Sequence, residues 1–358
     1  MLEQLLAIAR NTFTESIRQP IFVVLILLGV LGLVINPSLS TYTLETGGGD
    51  NRELVNLGLS TVFVIGLFLA AFTATSVLSS EVEKRTVLTV VSKPVSRPVF
   101  VLGKYLGVAA AIAVAFYLLS LVFALTVRHR VLQTAADTLD MPVIVFALLG
   151  GLGALAVAAA GNYLYRWVFT STFVASLVAG MTVAGLMVAL VNKDWQLQSP
   201  LTEFTVRDGE LTQVLVGLAL IFEAVLILTA VAIAASTRLG QIMTLLVCCG
   251  VFLLGLASNS LSQWANHSLS LPVGMGPVES LPAIFATEAS LGQQFLFAFA
   301  KLIYLVAPNL QFLWPADAIN LGNPFTVGHV ATVTGYATLY ILAVLGVAVT
   351  MFQTREVG

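Results

Sequence analysis

Residues 81–107 read EVEKRTVLTVVSKPVSRPVFVLGKYLG, a charged segment between two long apolar runs. Glu81, Glu83, Lys84 and Arg85 are too costly to leave in hydrocarbon, so the run before them must exit a membrane there. Pro94 stops that helix, because it has no amide hydrogen and turns the residue before it away from helical geometry. Ser96 can then cap a new helix, with Pro98 tolerated in its first turn. That helix reads PVFVLGKYLG and runs into the next apolar stretch. The expected product is a short helical elbow projecting from the bilayer. Lys93, Arg97 and Lys104 flank it, and it carries Val99, Phe100 and Leu102. Such an elbow can seat in a groove on a soluble partner and transmit rigid-body motion.

The composition around this segment is that of a lipid-embedded chain. Of 358 residues, 58% are hydrophobic and 9% charged, with a mean hydropathy of +0.97. Soluble domains run at about 45–50% apolar and about 25% charged. The formal net charge is -2, and no Lys/Arg-rich patch suits nucleic acid, so no nucleic-acid partner is expected. Cys248 and Cys249 are neighbours within an apolar run and supply neither a disulfide framework nor a zinc spacing.

A spanning helix needs about 20 predominantly apolar residues. Eight stretches qualify: 20–36, 55–78, 105–127, 143–163, 167–191, 211–235, 241–258 and 329–352. The pair 143–191 is divided at Tyr163–Arg166. Residues 1–18 carry acids and lack a cleavable signal pattern. In that stretch Leu2, Leu5, Leu6, Ala9, Phe13 and Ile17 recur at helical spacing, with Glu3, Arg10, Asn11, Glu15 and Arg18 mostly opposite. That pattern predicts an amphipathic helix lying in the membrane interface. With an inside N-terminus, ten of the sixteen Lys and Arg residues are cytoplasmic, which favours both termini inside. The region 259–328 then covers the outer face. Within it Leu291, Phe295, Leu296, Phe299, Leu302, Ile303 and Val306 form one apolar face, while Gln293, Gln294 and Lys301 interrupt a full span. An interfacial or re-entrant helix ended by Pro308 is expected. The whole chain, 1–358, reads as a single all-α polytopic membrane domain with segments 1–18, 79–104 and 259–328 outside the spans.

Few residues inside the spans suggest chemistry. Glu223 lies near the middle of 211–235, where a carboxylate must face the bundle or a wet cavity. It can serve as a cargo contact or gating hydrogen bond, or as a structural tie between helices. Gly150, Gly151, Gly153, Ala154, Ala158 and Gly161, with Gly180, Ala184 and Gly185, form small-residue surfaces suited to close helix packing. His129, His267 and His329 are scattered and form no metal-ligand cluster. No HExxH, GxSxG or paired intramembrane carboxylates occur, so no catalytic, metal or cofactor site is expected.

The run EVEKRT, followed by SKPVSR and LGK, resembles the coupling segment of ABC-2 type permeases, and in particular of their multicopper-enzyme-maturation branch. The resemblance covers nearly the whole chain. Ala9–Ile17 (ARNTFTESI) is similar to the family's N-terminal interfacial helix and Ala235–Gly240 (ASTRLG) to a turn between later spans. Tyr304–Gly322 resembles the segment before the last span, and Phe352–Glu356 (FQTRE) the cytoplasmic end. The extra apolar pair at 143–191 departs from the family's minimal six-span plan. The resemblance implies a permease subunit of an ATP-driven exporter in a bacterial inner membrane. ATPase coupling would fall to Glu81, Glu83, Lys84, Arg85, Lys93, Pro94, Ser96, Arg97, Phe100 and Lys104. No GxxxxGK[ST] loop is present, so ATP and Mg would be held by a separate ATP-binding subunit. A second permease copy, in a homodimer or a heterodimer, would complete the membrane core. Two other classes stay open: an ABC-type mechanical or regulatory subunit that moves no cargo, and an ATP-independent carrier or membrane enzyme.

Overall fold

The computed structural model describes residues 1–41, 49–83, 96–132, 137–200, 210–269, 271, 279–280, 282, 290–321 and 325–353. Among these residues the regular structure is helical, apart from one isolated bridge between Val191 and Leu197. The helices are α1 (Leu2–Ile17), α2 (Pro20–Ser40), α3 (Gly49–Glu83), α4 (Arg97–His129), α5 (Met141–Tyr165) and α6 (Phe169–Leu190). They continue with α7 (Glu210–Ser236), α8 (Gln241–Ser268), α9 (Leu291–Val306), α10 (Ala316–Asn320) and α11 (Val327–Gln353). A single 3-10 turn, Leu310–Leu313, precedes α10. Eight of the helices, α2 to α8 and α11, are long and apolar enough to cross a membrane. The chain is therefore an all-α polytopic membrane protein, with spans where the apolar runs predict them.

Several helices extend beyond those runs because their polar residues find partners. α2 continues to Ser40: buried Asn36 donates from Nδ2 to Leu54 O at 2.7 Å, and Ser40 Oγ donates to Asn36 O at 3.0 Å. α8 continues to Ser268, and its Ser262 meets α9. The elbow helix and the span that it runs into are one element, α4, an unbroken 33-residue helix. At 1.5 Å per residue α4 is about 50 Å long, against about 30 Å of hydrocarbon.

α1 packs across the first turns of α4. Gly103 and Gly107 make the notch: a Cβ at Gly107 would stand 2.5 Å from Ala9 O, and one at Gly103 2.8 Å from Ile8. Small residues at this spacing let two helix backbones approach. The notch also sets the rotation of α1. Thr12 and Ser16 are buried, whereas Leu2 and Leu6 are exposed. The apolar stripe read from the sequence is thus divided between the protein and the surface.

The core is built on α3, α4 and α7. Phe63 of α3 meets Phe252 edge-on at 4.9 Å and stacks on Trp314 at 6.0 Å; Phe116 of α4 packs on Phe222 of α7 at 5.1 Å. α5 and α6 form a peripheral hairpin. Arg166 makes its turn in the left-handed region (φ 56°), with Arg166 N donating to Asn162 O and Trp167 N to Gly161 O, which satisfies the last carbonyls of α5.

Hydrogen bonds assign the helix ends to two faces. Gln19 meets Ser76, Thr170 meets Arg18 O, Arg97 meets Gln353 O and Arg238 meets Met351 O on the face that carries α1. On the opposite face Asn36 meets Leu54 O, Arg128 meets Val191 O and Gln213 meets Phe325 N. This alternation agrees with eight crossings.

α9 opens with a capping box between Ser290 and Gln293 and is held to α11 by Tyr340, whose hydroxyl donates to Val306 O at 2.9 Å. Its orientation differs from the expectation that Lys301 marks a wet face. Lys301 is buried, donates to Ser262 Oγ at 2.8 Å and lies 5.2 Å from the Phe297 ring centroid, and burial pushes its ammonium below the ordinary lysine range. Phe295, Leu296, Phe299 and Leu302 are exposed instead. In a membrane the favourable arrangement is inverted: the cation seeks the protein and the apolar face seeks lipid.

The α5–α6 contact gives a direct test of packing. A Cβ at Gly150 would stand 2.8 Å from Gly180 O, whereas one at Gly151 meets nothing within 4 Å. Gly150→Leu should lower stability by about 1–3 kcal/mol through overpacking. Gly151→Leu should leave the thermal unfolding temperature in detergent unchanged or higher. Equal effects of the two substitutions would contradict this packing.

Candidate coupling face and intramembrane carboxylate

The face carrying α1 gathers several residues singled out in the sequence. Ser96 precedes α4 in an extended conformation (φ −68°, ψ 138°), and its carbonyl accepts from Phe100 N at 3.1 Å. Its hydroxyl makes no capping bond, so the cap expected from Ser96 is a backbone one. Arg97 is exposed, and its Nη1 donates to Gln353 O at the end of α11. Arg238, beyond α7, donates from Nε to Met351 O at 3.1 Å. Two guanidinium groups therefore sit on the last carbonyls of α11, where the helix dipole is negative.

Phe100 is placed differently from its expected outward position. It is buried and stacks on Phe352 of α11 at 5.3 Å. Val99 is buried as well, and Lys104, 2% exposed, carries its ammonium 5.7 Å from the Phe100 centroid. The presence of α11 explains the difference, since a helix from the far end of the chain covers this side of α4. Ser96, Arg97 and Pro98 remain exposed. Lys84, Arg85, Lys93 and Pro94 lie outside the described residues, and of Glu81 and Glu83 only the helical backbone is described.

Glu223 occupies the middle of α7. Its Oε1 accepts from Thr334 Oγ1 of α11 at 2.7 Å, while Oε2 is buried with no hydrogen-bond partner among the described residues. The carboxyl thus ties two helices and keeps one acceptor in reserve. Cys248 is buried and Cys249 half-buried, both as free thiols. Among the described residues no group of three or more His, Cys, Asp or Glu side chains gathers.

One constellation was not read from the sequence. Arg128, near the end of α4, donates from Nε to Asp140 Oδ2 at 3.4 Å, and both side chains are buried. Its Nη1 and Nη2 reach Val188 O and Val191 O, the latter at 2.7 Å. Asp140 Oδ1 meanwhile accepts from Val143 N and caps α5. The cap signal Asp140-Met-Pro was legible before an apolar run. The clamp was not, because its carbonyls lie some sixty residues away in sequence.

Residues 54–241 match the protein family described as ABC-2 family transporter protein. This stretch is just over half of the chain and runs from α3 to the first residue of α8, taking in the coupling segment, the Arg128 clamp and Glu223. No curated protein matches the chain.

Two substitutions test these contacts. Arg128→Gln leaves Asp140 buried without its cation and should destabilise the protein by about 3–5 kcal/mol. Arg128→Lys should not restore stability, because a single ammonium cannot reproduce the guanidinium fork. Denaturant unfolding in micelles measures both, with Arg52→Gln as the exposed control. Thr334→Val removes the donor to Glu223 and should lower stability by about 1–3 kcal/mol, whereas Thr334→Ser should not.

Proposed function

The chain belongs to the ABC-2 transporter family, and from that membership we propose that it is the permease subunit of an ATP-driven exporter in a bacterial inner membrane. It works with a separate ATP-binding subunit that holds ATP and Mg, and with a second permease copy, in a homodimer on this reading. It performs no bond chemistry of its own. The further resemblance to the multicopper-enzyme-maturation branch is part of this proposal and carries no copper function with it.

The observation that carries the reading is the continuity of α4 between two anchored ends. At the face carrying α1, Arg97 and Phe100 tie the start of α4 to the end of α11, and α1 crosses at Gly103 and Gly107. At the other face Arg128 grips the end of α6 and the cap of α5. A push on the segment before Arg97 is delivered to a rigid strut and emerges at the α5–α6 hairpin. The Lys and Arg bias supports a cytoplasmic α1 face, where an ATP-binding subunit would be available. On this reading the partner docks on segment 84–97, and the buried Phe100 and Lys104 transmit motion inside the chain. Glu223 keeps its spare acceptor for a polar group of the cargo or for a gating hydrogen bond.

Charge reversal of the basic residues in and before the elbow tests the proposal. Replacing Lys84, Arg85, Lys93 and Arg97 together by Glu should reduce co-purification of the ATP-binding subunit from native membranes by about tenfold or more, equivalent to about 1.4 kcal/mol or more. ATP turnover stimulated by the permease should fall in parallel. Arg52→Asp, on the opposite face, should leave both unchanged. Full association and full turnover in the fourfold variant would remove the elbow from the transmission path.

A further inference from the structure

We propose that a crevice between α2 and α5 is a binding site for a glycerophospholipid of the leaflet on the Arg128 side, with one acyl chain inside the protein and the phosphate at His129. The inference does not depend on ATP coupling. The crevice has a volume of about 390 Å³. It exists because α5 is held chiefly by its hairpin partner α6, leaving α2 and α5 on opposite sides of a gap floored by α4 and α6. Val30 and Val34 of α2, Leu118 and Val122 of α4, Leu148 of α5 and Met181 of α6 face it.

Its shape fits one chain of a lipid. The lining on α4 runs from Leu118 to His129, about 16 Å at the helical rise. That is about half of a 30 Å hydrocarbon core, the depth of one leaflet. The interior is apolar throughout that depth: Thr126, its polar member beside His129, spends its hydroxyl on Phe123 O at 2.8 Å. A phospholipid's free ends would lie in the bilayer and at its surface, so the site needs an open side, which the gap between α2 and α5 provides.

Polarity is concentrated at one end. His129 Nδ1 is buried and has no hydrogen-bond partner among the described residues. Lys193 and Asp140 both act electrostatically on this imidazole. Asp140 is engaged by Arg128, and Asp194, beside Lys193, is exposed. Arg130 follows His129 as an exposed residue with φ 62° and ψ 173°, a conformation that few side-chain-bearing residues adopt. A phosphate at the His129 end of the crevice supplies an anionic charge that Lys193 complements.

Gly151 provides the decisive variant, because it lines the crevice and a Cβ there meets nothing within 4 Å. Full-length protein is stripped of lipid in detergent and titrated with dioleoyl phosphatidylglycerol or dioleoylglycerol, and bound lipid is counted by native mass spectrometry. The wild type should take up one phosphatidylglycerol per chain, at least tenfold more tightly than dioleoylglycerol. Gly151→Leu should weaken that uptake at least tenfold without lowering the lipid-free unfolding temperature, and Ala147→Leu, filling the crevice one turn away, should do the same. His129→Leu should abolish the preference for phosphatidylglycerol while dioleoylglycerol still binds. An unchanged lipid count in both filled variants would overturn the proposal, as would equal binding of the two lipids by the wild type. Loss of a dimer in Gly151→Leu with the lipid count unchanged would assign the crevice to a second copy of the chain and overturn it equally.

Discussion

Hydrocarbon offers no hydrogen-bond partner to a backbone amide, a carbonyl or a polar side chain, and this constraint shapes the rest of the protein. Most hydroxyls meet it locally. Thr75, Thr182 and Thr229 each donate to the carbonyl one turn earlier in their own helices. Three arginines instead find carbonyls at the ends of other helices. Arg128 takes those closing α6, and Arg97 and Arg238 take those closing α11. A terminal carbonyl that lacks an intrahelical donor accepts from a guanidinium, which is buried at Arg128 and exposed at Arg97 and Arg238. The same exchange fixes which helices neighbour which, at both faces of the bundle.

α4 is the element on which these exchanges converge. It contacts α1 through glycines, α11 through Phe100 and Arg97, and α5 and α6 through Arg128. A helix fixed at both ends and packed along its length moves as a unit, which suits it to carry a displacement between faces. Glu223 sits beside this path on α7, tied to α11 rather than to α4.

The sequence was most informative where a pattern was long and local. Apolar run length located all eight spans, and the break at Tyr163–Arg166 correctly divided α5 from α6. The apolar face from Leu291 to Val306, ended before Pro308, placed α9. What escaped was the direction in which residues face, because that is decided by helices distant in sequence. Phe100 looked available to a partner until α11 supplied Phe352. Lys301 looked like a surface residue until α8 supplied Ser262. On α1, a notch in α4 outweighed the hydrophobic stripe and turned Thr12 and Ser16 inward. The Arg128 clamp was illegible for the same reason, since backbone carbonyls carry no residue signature.

The α5–α6 hairpin has a consequence for biogenesis. Gly150 and Gly180, which bring its two helices into backbone contact, are only thirty residues apart, and the turn between them closes its own hydrogen bonds at Arg166. Such local contacts form early, so the hairpin can assemble in the bilayer while the later helices are still being synthesised. Arg128 and Asp140 both precede it in the chain and are already available when α6 is completed. The order of synthesis therefore allows the hairpin to be latched onto α4 before α7 arrives to close the core.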